Sequence, residues 1–170
     1  MEIGSYHNFV KILITIKDIV VGDFINYKKP SLFVIFPKCS FKCDKESGSQ
    51  YCQNWSLVSQ RNIEISIDEL LRYYDKSLLS ALVVGGLEPF DSWQDLYELV
   101  FAFSHFAPHD DIVLYTGYNE DEIQDKIDLL KQFNNIIIKF GRYRPNQKPH
   151  FDNVLGVNLA SNNQYAKKIS

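Results

Sequence analysis

Outside one short stretch, this chain has no cysteine at all. Cys39, Cys43 and Cys52 fall within fourteen residues, and an odd number of thiols cannot be fully paired as disulfides. Long apolar runs are missing too: nothing approaches the roughly 18 uninterrupted apolar residues of a membrane span, so no membrane partner is expected. Positive charge is not in excess. Eighteen Lys and Arg against 21 Asp and Glu leave a net −3, which gives no reason to expect a nucleic-acid partner. There is no internal repeat, low-complexity tract or linker, so 170 residues read as one domain over 1–170, long enough for a sizeable core. The opening "MEIGSYHNFVKILITIKDIV" has an acid at position 2, lysines inside its apolar run and no small-residue cleavage site, unlike a signal peptide. The expectation is a soluble, cytoplasmic protein. In that reducing compartment, clustered cysteines more often bind metal or do redox chemistry than form structural bridges.

What is present is a regular alternation. "SLFVIFP" (31–37), "ALVVGG" (81–86), "DIVLYTG" (111–117) and "NIIIKFG" (135–141) are short apolar runs that read as buried strands. Between them, "SIDELLRYYDKSL", "DSWQDLYELVFAF" and "NEDEIQDKIDLLKQF" read as amphipathic helices. Ser66 and Glu69 have capping-box spacing, and Asn119 caps a first turn rich in acids. Alternating strands and helices predict an α/β protein with a mostly parallel sheet. The expected core runs from about 31 to 141, with a possible edge strand around Lys11 to Val20. A C-terminal extension, 142–170, has no firmly patterned element after Phe151. Right-handed crossovers would bring the strand ends to one edge, where ligands of parallel sheets bind. The cysteine loop, "GGLEP", "TGYN" and "GRYR" would all meet there.

The cysteine loop "PKCSFKCDKESGSQYCQN" is polar, which does not suit buried structural thiols. Its spacing, C-x3-C-x8-C, leaves three readings: unligated thiols, a zinc site, or an iron–sulfur cluster. Structural zinc normally takes four ligands, but there is no fourth cysteine, and His7, His105, His109 and His150 stand at no recognisable spacing from the three. Thiolates suit iron–sulfur clusters, and three of them leave one iron of a four-iron cluster free.

The loop resembles the C-x3-C-x-Φ-C motif of the radical S-adenosylmethionine (SAM) enzymes, with six extra residues before the third cysteine. "CSFKC" supplies the first pair, and Tyr51 stands at the aromatic position before Cys52. "GGLEP" (85–89) resembles the GGEP motif of the same superfamily with Leu87 inserted. Within it, the chain is most similar to the short activating proteins of anaerobic ribonucleotide reductase. It shares "CQN" followed by Trp55, "LYTGY" (114–118) and an element like "LASNNQ" (159–164).

This resemblance, over about 32–164, implies a partial, open βα barrel of radical SAM type. Cys39, Cys43 and Cys52 would hold a [4Fe–4S] cluster whose fourth iron chelates the amino and carboxylate groups of SAM. Tyr51, Gly85, Gly86, Glu88 and Thr116 would form the SAM-binding surroundings. Glu88 would accept from the SAM ammonium or its polar neighbours, and Thr116 would bond the ribose or carboxylate. A flavodoxin-type donor would reduce the cluster. The partner would be the catalytic subunit of an anaerobic ribonucleotide reductase, a glycyl-radical enzyme. Lys38 and Lys42 read as tuning charges or as ordinary surface charges, and "GRYRPNQK" (141–148) as docking surface or solvated loop. Two other functions stay open: a small radical SAM enzyme modifying another peptide or small molecule, and a non-catalytic iron–sulfur or zinc module.

Overall fold

The computed structural model describes residues 11–170; His7 lies outside them. In chain order the strands are β1 (Leu13–Ile16), β2 (Asp18–Asp23), β3 (Ser31–Phe36), β4 (Ile63–Ser66), β5 (Ala81–Gly86), β6 (Asp111–Tyr115), β7 (Ile136–Phe140), β8 (His150–Asp152), β9 (Val157–Leu159) and β10 (Tyr165–Lys168). The helices are α1 (Lys42–Ser47), α2 (Trp55–Val58), α3 (Ile67–Leu71), α4 (Trp93–Phe106) and α5 (Gln124–Leu130). Six strands form one sheet in the order β10-β7-β6-β5-β3-β2. The central four run parallel, while β2 and β10 close the two edges antiparallel. Two antiparallel pairs, β1 with β4 and β8 with β9, stand apart from that sheet.

The four parallel strands coincide with the four apolar runs of the sequence, because each side of the sheet has its own cover. Even-numbered residues of β5, Leu82 and Val84, join the core formed with α3, α4 and α5. Odd-numbered Ala81 and Val83 face a smaller cluster with Tyr27, Leu155 and Leu159. The period of two along a strand therefore sends alternate residues to the two faces, each with its own apolar cover. That second face holds the cavity described below.

Four segments differ from the sequence expectation. The helix starting at Ser66 is shorter than its pattern. Ser66 accepts the Glu69 amide as a cap, but α3 gives way after Leu71 to turns, and Asp75 captures the amide and hydroxyl of Ser77. The third helix is split. Asn119 and Glu122 form a reciprocal capping box over a short 3-10 turn, and Ile123, drawn into the core, breaks the register before α5. The segment around Lys11 to Val20 makes two strands rather than one. Between them Lys17 turns to donate to the carbonyls of Val58 and Gln60. In the C-terminal tail, β10 pairs with β7 although Lys167 and Lys168 give it little apolar pattern. Among the described residues no helix is long and apolar enough to cross a membrane.

Phe103 is fully buried on α4 and meets the Tyr74 ring edge-on at 4.9 Å. Phe103→Ala removes that ring from the main core. It is expected to cost about 3–5 kcal/mol of unfolding free energy, read as a lower urea midpoint at unchanged slope.

Candidate metal centre

The parallel register continues past the strand ends. The Leu87 amide donates to the Phe36 carbonyl at 3.4 Å, and the Glu88 amide donates to the Lys38 carbonyl at 2.6 Å. The chain leaving β3 and the turn leaving β5 are thus held side by side, and Cys39 follows at once. Phe41 takes a left-handed conformation at φ 53°, which reverses the chain into α1 and aims its amide at the Cys39 sulfur, 3.2 Å away. Cys43 lies in the first turn of α1. The helix ends at Gly48, also left-handed at φ 68°, and the chain returns to place Cys52 beside the same opening.

All three cysteines line one cavity of about 510 Å³ on the side of the sheet away from the main helices. The Phe41 backbone amide donates to the Cys39 sulfur, and the backbone at Tyr143 and at Asn54 favours the thiolates of Cys43 and Cys52. Burial pushes all three thiols up, Cys39 to about 12, with the nearby Glu88 and Asp91 carboxylates adding to it. Ligation by a cation would offset this, since a bound metal makes a coordinating thiol lose its proton. His105, His109 and His150 do not line the cavity, and among the described residues no three His, Cys, Asp or Glu side chains are grouped closely enough for a single metal ion.

The cavity floor is a row across four strands: Ile35, Gly85, Tyr115 and Lys139. A side chain at Gly85 would stand 3.0 Å from the Phe33 ring and 3.3 Å from Cβ of Tyr115, so glycine is what keeps the floor open. Gly86 serves a different purpose. Its φ is +94°, and a Cβ there would press on β3, 2.5 Å from Cγ2 of Ile35. Its carbonyl accepts the side-chain amide of Asn54 at 2.7 Å, which ties the end of the cysteine loop to the glycine turn.

Glu88 is only 6% exposed and is occupied by three donors: the Thr116 hydroxyl at 2.8 Å, the Gly117 amide at 2.8 Å and the Phe90 amide at 3.1 Å. Burial outweighs them and raises its pKa to about 7. Glu88 and Thr116 thus bond each other at the cavity wall, joining the exits of β5 and β6. Of the residues singled out in the sequence, Cys39, Cys43, Cys52, Gly85, Gly86, Glu88 and Thr116 all reach the cavity. Tyr51 does not line it and is 43% exposed.

Sequence reasoning missed Lys139. It is buried on β7, and its ammonium donates to the carbonyls of Gly141 at 2.9 Å and Thr116 at 3.5 Å, with no carboxylate in ion-pair contact among the described residues. Burial lowers its pKa to about 8, opposed by Glu88 and Cys43. The available signal was a lone lysine inside the apolar run "IIIKF". The "LASNNQ" element also arrives here: Leu159, Ala160 and Gln164 form part of the wall, and the Gln164 side chain donates to the Gly141 carbonyl. Lys42 instead pairs with Glu122 at 3.3 Å and lies over the Tyr118 ring. Arg142, from the basic–aromatic loop, is turned inward to Glu122 and Glu46.

Residues 29–165 match the family model described as "4Fe-4S single cluster domain". No curated protein and no solved structure matches the chain.

The Arg142 guanidinium, with Asn119 and Lys42, holds the Glu122 carboxyl down to about 2 against an ordinary 4.5. A depressed carboxyl stabilises the fold fully above its unfolded pKa, and the contribution is lost as pH falls through the folded value. Wild type should therefore lose stability between about pH 4.5 and 2 more steeply than Glu122→Gln. Denaturant midpoints across that window check this; parallel curves would contradict it.

Proposed function

The chain belongs to the 4Fe-4S single cluster domain family, and from that premise we propose that it is a radical SAM activase, built as an open, partial βα barrel, that generates a glycyl radical on an anaerobic ribonucleotide reductase. The observation that carries the reading is the pairing of three thiols with a buried ammonium, Lys139, around one cavity floored by Gly85. A closed structural metal site needs no adjoining space and no buried cation. A catalytic centre with an open position needs room for a second ligand, here one with an anionic group.

The donor set fits a four-iron cluster: three free thiols at one cavity and, among the described residues, no fourth cysteine and no histidine there. Cys39, Cys43 and Cys52 would hold it, and when bound and reduced by a flavodoxin-type donor it would supply the electron that cleaves SAM to methionine and a 5′-deoxyadenosyl radical. Lys139 would bind the SAM carboxylate, where burial strengthens a charge-assisted hydrogen bond. Gly85 leaves space for the methionine chain. Glu88, held by Thr116 and Gly117, fixes the exits of β5 and β6 and would accept from the SAM ammonium or its polar neighbours. Leu159 and Gln164 would limit water entry from the C-terminal side.

A radical of this reactivity needs cover from solvent and from side reactions. The cavity opens at the strand ends, and a second macromolecule seated there would provide that cover. This favours a protein substrate over a small one.

Anaerobic reconstitution should give about four irons per chain, and Cys39→Ala, Cys43→Ala and Cys52→Ala should each fail to hold a stable cluster. Lys139→Met should keep the cluster and weaken SAM binding about tenfold or more, measured by titration. Stoichiometric zinc with no iron uptake would contradict the cluster, and unchanged SAM affinity would remove Lys139 from the site.

With reductant, SAM and the cognate reductase, electron paramagnetic resonance should show a glycine-centred doublet that disappears when the partner's radical glycine is replaced by alanine. SAM cleavage without a partner radical would turn the reading to another peptide or small molecule. An iron–sulfur protein that never cleaves SAM would be an electron-transfer or binding module.

A further inference from the structure

Between Cys43 and Cys52 the chain makes an excursion of eight residues, and something must bring its far end back to the cavity. We propose that Asp44 is the positioning residue for the third thiolate. The inference rests on the family's cluster and not on SAM chemistry. Oδ1 of Asp44 accepts two consecutive amides, Tyr51 at 2.8 Å and Cys52 at 2.7 Å. Oδ2 accepts the indole N–H of Trp55 at 2.5 Å. All three are bonds to an ionised acceptor, the strong class.

The same carboxylate reaches the first two ligands. Asp44 follows Cys43 directly on α1. Trp55 stacks on Phe41, with ring centroids 4.4 Å apart and planes 11° from parallel. Phe41 lies between Cys39 and Cys43 and donates its amide to the Cys39 sulfur. One side chain therefore links the backbone of Cys52, through Trp55 and Phe41, to that of Cys39 and Cys43. Asp44 stands in the first turn of α1, yet its bonds go to the returning strand of the loop rather than to its own helix.

The loop contributes little apolar burial: none of the residues of α1 or α2 is buried. Without these bonds the closing segment would be free to sample many conformations, and the third thiol would be present at the cavity only part of the time. The clamp lowers that entropy before iron arrives. It also accounts for a spacer longer than the motif it resembles, since the added residues form a helical turn that carries its own closing group.

The partner geometry gives a specific test. In Asp44→Asn one amide oxygen still serves Tyr51 and Cys52, but the amide N–H2 would face the Trp55 N–H, donor against donor. Trp55→Phe removes that conflict while keeping a ring on Phe41. Reconstituted protein is challenged with an iron chelator, and iron release is followed by absorbance. Asp44→Ala should release iron about tenfold faster or more than wild type. The double variant Asp44→Asn/Trp55→Phe should hold iron better than Asp44→Asn alone, a non-additivity expected only of directly coupled groups. Denaturant midpoints of the apoproteins should stay together, because the clamp lies outside the core. The proposal is overturned if Asp44→Ala keeps its iron as well as wild type. It is equally overturned if the double variant is no better than Asp44→Asn, or if apoprotein stability falls in step with iron retention.

Discussion

Glu88 is the point on which the site's architecture depends. A carboxylate in a poorly solvated position is costly unless its oxygens are occupied, and here one oxygen takes the Thr116 hydroxyl and the Phe90 amide while the other takes the Gly117 amide. Its own backbone amide donates to Lys38, the residue before the first cysteine. Three strand exits, β3, β5 and β6, are thereby joined through one residue. Neighbouring Asp91 extends the join, accepting the Ser40 amide and the Tyr118 hydroxyl. The cysteine loop rests on this network instead of on a hydrophobic core of its own.

The electrostatics of the cavity follow from that arrangement. Glu88 and Asp91 bring negative charge near Cys39, and Asp44 near Cys52, while burial already disfavours the thiolate form. Lys139 stands on the floor as the buried cation, and Arg142 adds positive charge near Cys43. Three thiolates require compensation from metal, and an anionic ligand beside them requires a cation of its own. In the proposed reading Lys139 answers the second requirement; its ammonium is held out of water on carbonyl hydrogen bonds alone.

Much of the fold was legible because burial and periodicity agree. The runs "SLFVIF", "ALVVGG", "DIVLY" and "IIIKF" are strands within a residue or two of their apolar limits, since only a strand covered on both sides reads so continuously. The three cysteines and the double glycine were legible as chemistry because their residue types have few other uses in a polar turn. Contacts made by polar side chains across long sequence separations were not legible. Asp44 in "CDKES" looks like any loop acid, and Lys167 and Lys168 give β10 no strand pattern, although pairing with β7 defines it. Lys139 was visible as an oddity in "IIIKF", but its role depends on which face it takes, and register alone decides that. Glu88 stood out in "GGLEP", while its place at the cavity wall and its ties to Thr116 and Gly117 required the fold.

The central claim is that the three-thiolate cluster and SAM share one site. The most direct measurement is electron–nuclear double resonance on the reduced, reconstituted protein, comparing SAM labelled at its methionine nitrogen with unlabelled SAM. The account predicts a nitrogen coupling to the cluster spin that changes with the label. Spectra that are identical with and without label, at saturating SAM, would contradict it.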